Sequence, residues 1–179
     1  MDAETLAILG AGDTGIAVAR LAALAGLHVR LWDPSEGALR GALLLVRQQL
    51  EQAVRLGLAP AEHRQTILDG VLATTDLGEA VAGADAVLET GPDRPEVRLE
   101  ILSRAAAAEP NAALLTSGAL DAVGPRLPDP SRLAGLVLGP SLGGEEPRAV
   151  WTASSSPETL ARAQSVARAL SRAAAIHPT

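Results

Sequence analysis

The sequence lacks four residue types that carry much of enzyme chemistry. Its 179 residues include no cysteine, tyrosine or phenylalanine, and lysine is also absent, so all 15 basic residues are arginine. Without cysteine there can be no disulfide framework, thiol nucleophile or cysteine-ligated metal site. Without lysine there can be no Schiff-base intermediate, no phosphate loop of the G-x-x-x-x-G-K type and no Tyr/Lys acid–base pair. These absences exclude several large classes of enzyme.

Charge and aromatic content argue against a nucleic-acid or membrane partner. The formal net charge is -6, and the two aromatic residues are Trp32 and Trp151, so neither a basic stripe nor a base-stacking platform is present. No apolar run approaches the roughly 20 residues that span a bilayer, and no signal peptide is recognisable at the start. We therefore expect a cytoplasmic protein, and the length suits one domain covering residues 1–179.

Apolar segments and turn residues alternate in a way that predicts strands followed by helices. Strands are expected at residues 5–9, 28–32, 71–73, 86–88, 112–115, 133–138 and 149–152. Helices are expected at residues 14–25, 36–56, 61–68, from 77, at 95–108 and from 157, where Ser156 is the predicted N-cap. Residues 121–131 contain three prolines and are predicted to form a loop. This alternation indicates an α/β fold with a mainly parallel sheet and helices on both faces.

A glycine-rich motif stands between the first strand and the first helix. It reads G-x-G-x-x-G and consists of Gly10, Ala11, Gly12, Asp13, Thr14 and Gly15. In such a motif the first glycine allows a tight turn, the second lets the backbone approach a pyrophosphate, and the third lets helix and strand pack closely. The motif opens a helix whose free N–H groups and dipole favour phosphate. The sequence therefore predicts a Rossmann-type, doubly wound dinucleotide-binding fold.

Asp33 lies 18 residues after the last glycine of the motif, at the end of the second strand. An acidic residue at this place accepts hydrogen bonds from the adenosine ribose hydroxyls and repels a 2′-phosphate. The predicted cofactor is therefore NAD, as NAD(H), rather than NADP. The alternative is a fold of the same type whose loop binds nothing.

Several further segments, in the same order along the chain, resemble the NAD-binding domain of 3-hydroxyacyl-CoA dehydrogenases. They are residues 6–33, T-T-D-L at 74–77, A-D-A-V-L-E at 84–89, E-T-G-P-D at 89–93 with E-V-R at 96–98, and R-L-A-G-L at 132–136. The resemblance implies oxidation of a 3-hydroxyacyl-CoA with NAD, and thus an acyl-CoA partner. The helical domain that follows in the family has no counterpart in these 179 residues. The resemblance therefore also implies a separate helical dehydrogenase domain, or a homo-oligomer, as partner.

The resemblance assigns four more residues to the cofactor site. Asp93 stands where the family has a glutamate, and Arg98 where it has a lysine, and both family residues line the nicotinamide end of the cofactor. Thr90 belongs to the same segment. Ser117 is the first residue of the segment that matches the family's S-N-T-S motif. Arginine is not equivalent to lysine at a tight site, because its planar guanidinium has a different shape.

The catalytic positions of the family are not matched. Its histidine, in G-x-H-F-F-N-P, corresponds to Val137 in the shorter segment G-L-V-L-G-P at 135–140. The glutamate that orients this histidine from the next strand corresponds to Trp151, and the last serine of S-N-T-S to Leu120. A general base contributes about 10²–10⁴ in rate, and valine cannot accept a proton. We predict no catalytic residue, and the histidines His28, His63 and His177 form no metal-ligand pattern.

Four functions are consistent with these observations. The first is an NAD(H)-binding protein that resembles 3-hydroxyacyl-CoA dehydrogenase but is catalytically impaired. The second is an active dehydrogenase that works with a partner helical domain and a replacement base. The third is a noncatalytic NAD(H) redox sensor or regulatory subunit. The fourth is an oxidoreductase that acts on another substrate.

Overall fold

The computed structural model describes residues 4–59, 64–118, 120–139 and 146–176. Within these ranges a seven-stranded sheet has the order β3-β2-β1-β4-β5-β6-β7. The strands are β1 (Thr5–Leu9), β2 (His28–Trp32), β3 (Val71–Thr74), β4 (Ala86–Glu89), β5 (Ala113–Thr116), β6 (Leu133–Val137) and β7 (Arg148–Val150). All neighbours are parallel except β6 and β7, which are antiparallel. The predicted mainly parallel, doubly wound sheet is therefore confirmed.

Helices cover both faces of the sheet. They are α1 (Asp13–Leu24), α2 (Glu36–Arg55), α3 (Arg64–Asp69), α4 (Leu77–Val81), α5 (Pro95–Ala108), α6 (Leu120–Val123) and α7 (Pro157–Ile176). Buried residues of α1, α2 and α7 pack with one set of strand residues. Those of α4, α5 and α6 pack with the other set. None of the helices in the described ranges is long and apolar enough to cross a bilayer.

Most predicted bounds differ from the structure by one or two residues, and the loop predicted at 121–131 differs most. It contains part of α6 and two short 3-10 helices, Gly124–Arg126 and Pro130–Arg132. Three prolines favour such tight turns because proline fixes φ. The helix predicted at 61–68 is described from Arg64. His63, Pro140 and His177 lie outside the described residues.

Arg132 connects the start of β6 to the end of α5. Its Nη2 donates to the carbonyl oxygens of Glu109 at 2.7 Å and Ala112 at 2.8 Å. Its Nη1 donates to the carbonyl of Ala106 at 3.2 Å. The last carbonyls of a helix have no partner within the helix. This guanidinium therefore holds the amino-terminal edge of the sheet, opposite the edge that carries the glycine-rich loop.

Candidate cofactor site

The loop between β1 and α1 depends on two glycines. Gly10 has φ 129°, and a Cβ atom added there would lie 3.0 Å from Thr90 Oγ1. A Cβ atom added at Gly15 would lie 1.9 Å from the carbonyl oxygen of Gly10, a distance that no side chain can tolerate. Helix α1 therefore approaches the end of β1 as closely as a glycine allows. This is the role that the motif predicts for Gly15.

The amino terminus of α1 is open. No side chain caps it at Gly12, and none caps α5 at Arg94, whereas Ser35, Asp76 and Ser156 accept N–H groups at the starts of α2, α4 and α7. A Cβ atom added at Gly12 would meet nothing within 4 Å. The first N–H groups of a helix have no partner within the helix, and they carry its positive dipole end. Space and donors for an anion thus coincide at this loop.

Asp13 and Thr14 follow Gly12 in the first turn of α1, and both are exposed. The Asp13 carboxylate interacts favourably with the helix dipole. The same carboxylate repels any phosphate at this terminus, since the two charges have the same sign. Asp13 can therefore bind an anion only through its backbone N–H.

Asp33 joins the end of β2 to the glycine-rich loop. Its Oδ2 accepts the N–H of Ala11 at 3.0 Å, and its Oδ1 accepts the N–H of Ser35 at 2.9 Å. An ionised carboxylate has about four acceptor positions, so two remain for hydroxyl donors. The structure therefore places Ala11 and Asp33, two residues predicted for the site, in direct contact.

A buried ion pair stands at the end of β4, next to this loop. Glu89 is fully buried, and its Oε2 lies 2.6 Å from Arg98 Nη1. Glu89 Oε1 accepts the N–H of Gly91 at 2.5 Å. Thr116 Oγ1, at the end of β5, lies 3.0 Å from Glu89 Oε2. Glu89 and Thr116 were not predicted as site residues, although an acidic residue that ends an apolar strand is a signal that a partner is needed.

Arg98 brings the other predicted residues together. Its Nη1 lies 3.2 Å from Ser117 Oγ, and its Nη2 lies 3.2 Å from the carbonyl of Gly91 and 3.9 Å from Asp93 Oδ1. The Arg98 side chain is 6% exposed, whereas that of Asp93 is 90% exposed. Asp93 therefore faces solvent at the mouth of the site, while Arg98 lies within its wall. The positive charge of Arg98 is paired with the carboxylate of Glu89.

Thr90 links two loops of the site. Its Oγ1 donates toward the carbonyl oxygen of Gly10 at 3.1 Å, and it is buried. The β4–α5 loop is thereby attached to the β1–α1 loop. Thr90 supports the glycine-rich turn from the side opposite to Asp33.

The α5 helix at this edge is also joined to the segment after α6. Arg126 Nη1 lies 3.1 Å from Glu96 Oε1. This hydrogen bond lowers the pKa of the Glu96 carboxyl below its usual value. In the second half of α1, burial lowers the pKa of the Arg20 guanidinium below its usual value.

Val137 ends β6 at the same edge of the sheet. In the antiparallel ladder it lies opposite Arg148, and Trp151 follows the end of β7. Directly opposed residues have Cβ atoms about 4.5–5.5 Å apart on one face. The residue that faces Val137 is therefore Arg148. Valine has no acceptor, and arginine stays protonated, so this pair cannot take a proton from a substrate.

Comparison with known families decides the relationship. The profile described as "3-hydroxyacyl-CoA dehydrogenase, NAD binding domain" matches residues 5–132. The chain belongs to the 3-hydroxyacyl-CoA dehydrogenase family. Its sequence is 31% identical over 140 residues to 3-hydroxyadipyl-CoA dehydrogenase of Escherichia coli K12, covering 76% of this chain and 29% of that one. It is 35% identical over 123 residues to L-carnitine dehydrogenase of Pseudomonas syringae, covering 65% of this chain and 36% of that one.

Solved structures agree with this relationship. The 3-hydroxybutyryl-CoA dehydrogenase of Escherichia coli K12 superposes with a TM-score of 0.84 at 26% identity, covering 95% of this chain and 37% of that one. The chain therefore spans about a third of the length of these relatives. What it shares with them is the NAD-binding, Rossmann-type domain of an oxidoreductase.

The residues present fit the cofactor of this family, which is NAD. The uncapped terminus of α1 and the open space at Gly12 suit a pyrophosphate, and Asp33 suits a ribose diol. Within the described ranges, no three histidine, aspartate or glutamate side chains gather closely enough to hold a metal ion.

Proposed function

We propose that this chain binds NAD(H) and is impaired as a 3-hydroxyacyl-CoA dehydrogenase. The observation that carries the binding proposal is the uncapped start of α1 beside the Asp33 carboxylate. The N–H groups of Gly12, Asp13 and Thr14 would bind the pyrophosphate. Asp33 would accept hydrogen bonds from the adenosine ribose and repel a 2′-phosphate, so that NADH binds in preference to NADPH.

The other half of the cofactor would lie against the ends of β4 and β5. Asp93 and Ser117 are proposed to face the nicotinamide riboside, with Thr90 and Arg98 in the wall behind them. The bound cofactor would supply a hydride acceptor. The residues of the chain would orient it, since their contacts fix the loops on both sides.

The proposed impairment rests on the pair formed by Val137 and Arg148. A hydride can leave a hydroxyl-bearing carbon only as the hydroxyl loses its proton, and this step needs a base. Val137 offers no acceptor where the family has histidine, and Arg148 opposes it. We expect a rate far below that of a dehydrogenase that retains its base.

An acyl-CoA partner belongs to this proposal as a second ligand. The chain spans 29% of the 3-hydroxyadipyl-CoA dehydrogenase that it resembles. We propose that productive acyl-CoA binding requires a separate helical domain or a second copy of the chain. Activity that appears only on adding such a domain would favour the active two-part enzyme. Binding of NADH with no turnover even after such a domain is added would favour a redox sensor or regulatory subunit.

Thermal unfolding and a turnover assay test the proposal together. The chain is heated with NADH, NADPH or acetoacetyl-CoA, and NADH oxidation with acetoacetyl-CoA is then followed. We expect stabilisation by NADH, weaker or none by NADPH, and negligible turnover. The absence of a shift at saturating NADH would overturn the cofactor proposal. Rapid turnover by the isolated chain would overturn the proposed impairment.

A further inference from the structure

Buried polar residues are concentrated at one edge of the sheet. Five polar or charged residues are buried in the part of the chain that the structure describes, and Glu89, Thr90, Arg98 and Thr116 are four of them. All four lie at or just after the carboxyl ends of β4 and β5, or in the first turns of α5. Charged residues are almost never buried unless paired, and even a paired charge is costly to bury. A contribution to stability is therefore a weak explanation for the presence of this buried polar cluster.

Glu89, Arg98 and Thr116, here called the buried triad, join two loops. On the β4–α5 side, Glu89 Oε1 accepts the N–H of Gly91 at 2.5 Å. Arg98 Nη2 donates to the carbonyl oxygen of Gly91 at 3.2 Å. Both polar groups of this peptide backbone are thereby fixed. On the β5–α6 side, Thr116 Oγ1 lies 2.6 Å from the carbonyl oxygen of Gly118 and 3.3 Å from its N–H.

Thr116 is the connection between the two sides. Its hydroxyl contacts the Glu89 carboxylate at 3.0 Å and the Arg98 Nη1 at 3.4 Å, as well as Gly118. The Gly118 backbone packs against the guanidinium, since a Cβ atom added there would lie 3.5 Å from Arg98 Nη2. Loss of the Thr116 hydroxyl would release the β5–α6 loop while leaving the Glu89–Arg98 pair intact.

The triad is placed beside one half of the proposed ligand. The strand order reverses between β1 and β4, and open α/β sheets bind ligands in the crevice at such a point. The glycine-rich loop and Asp33 lie on the β1 and β2 side, where the adenosine and pyrophosphate belong. The remaining half then lies on the β4 and β5 side, against the two loops that the triad joins.

We propose that the buried triad positions the β4–α5 and β5–α6 loops to receive the nicotinamide half of the dinucleotide. Its members act through the backbone of Gly91 and Gly118 rather than by touching the ligand. The triad therefore sets how much tighter NADH binds than a ligand that has only the adenosine and diphosphate parts. This inference rests on the proposed NAD(H) binding.

The test compares NADH with ADP on the variant Thr116→Val, by calorimetry or fluorescence titration. We expect the dissociation constant for NADH to rise about threefold to tenfold, the effect of losing one buried hydrogen bond, and that for ADP to stay unchanged. Thr116→Ser keeps the hydroxyl and should retain the parent ratio of the two constants. Should Thr116→Val fail to fold, Thr116→Ala is measured in its place, because it also removes the hydroxyl.

Thr159→Val is the matched control. Thr159 is also buried, and its hydroxyl bonds Ser156 at the other edge of the sheet, so this variant should lose stability without changing the ratio. Equal weakening of NADH and ADP by Thr116→Val, or no weakening of either, would overturn the role of the triad while leaving NAD(H) binding in place. A parent chain that binds neither nucleotide would overturn both proposals.

Discussion

The carboxylate of Asp33 accepts the backbone N–H of Ala11 at 3.0 Å, so that one side chain connects the end of β2 to the glycine-rich loop. The same carboxylate accepts the N–H of Ser35, which is also the N-cap of α2. Asp33 therefore supports the loop and supplies negative charge to the site. A substitution by asparagine removes the charge and keeps one acceptor oxygen, so that only one of the two backbone N–H groups can still be accepted.

We expect Asp33→Asn to weaken NADH binding and to reduce the preference for NADH over NADPH about tenfold, which corresponds to about 1.4 kcal/mol. The charge no longer repels the 2′-phosphate, and hydrogen bonds to the ribose become weaker. The measurement is the ratio of the two dissociation constants. Asp129→Asn is the control, because it removes the same charge at the opposite edge of the sheet. An unchanged ratio in Asp33→Asn would show that another residue sets the selectivity.

Gly12→Ala should lose NADH binding, whereas Gly15→Ala should lose stability. A methyl group at Gly12 enters open space, so the chain should fold with a free energy of unfolding within about 1 kcal/mol of the parent. It should nevertheless lose NADH binding, because the methyl occupies the approach of the pyrophosphate. At Gly15 the methyl would lie 1.9 Å from a carbonyl oxygen, so about 3 kcal/mol or more of stability should be lost.

Denaturant unfolding and NADH titration distinguish the two glycine variants. Gly41→Ala on the exposed face of α2 is the control, since its methyl also meets nothing within 4 Å. It should stabilise the chain by up to about 1 kcal/mol and leave NADH binding unchanged. Normal NADH binding by Gly12→Ala would place the pyrophosphate elsewhere.

The sequence was sufficient for the β1–α1–β2 unit, because its determinants are local. Gly10 and Gly15 are separated by one turn, and Asp33 follows the next strand, so the spacing alone indicates which of these residues lie in contact. The capping of α7 by Ser156 was predictable for the same reason, and the structure confirms it with an accepted N–H at 3.1 Å. Bounds of strands flanked by turn residues were also correct to within a residue or two.

Contacts between distant segments could not be predicted in this way. Glu89 and Thr116 are 27 residues apart and meet only because β4 and β5 are neighbours in register. The pairing of Val137 with Arg148 depends on the register of an antiparallel ladder, which a one-residue slip would change. The matching of motifs assigned Trp151 to the position of the family's glutamate and carries no information on this register.

Asp13→Asn should strengthen NADH binding about twofold to threefold at low salt. The variant removes a carboxylate from the helix terminus that is proposed to hold the pyrophosphate, and so removes a repulsion between like charges. The gain should shrink as salt is added, because exposed charges are screened. Glu158→Gln makes the same change in charge in the first turn of α7 and should have no effect on NADH binding. Weaker binding by Asp13→Asn would indicate that the carboxylate itself contacts the ligand.

Arg132→Met should lower the free energy of unfolding by about 2–3 kcal/mol, because carbonyl groups at the end of α5 and just before β5 lose charged donors. The methionine retains most of the apolar stem, so the loss reports on the guanidinium. NADH binding should not change in the folded variant, since Arg132 lies at the far edge of the sheet. Denaturant unfolding and NADH titration measure the two effects. A variant as stable as its parent would show that water replaces these bonds without loss.

The open start of α1 also bears on how long the protein persists. In the free chain, no side chain caps the N–H groups after Gly12. The first turn of α1, the helix that packs on β1, therefore lacks hydrogen-bond partners from the protein for these groups. A bound dinucleotide would act as the missing cap, and binding to the folded state alone shifts the folding equilibrium by mass action. Resistance to proteolysis, and with it the steady-state abundance of this chain, would then rise and fall with the supply of NAD(H).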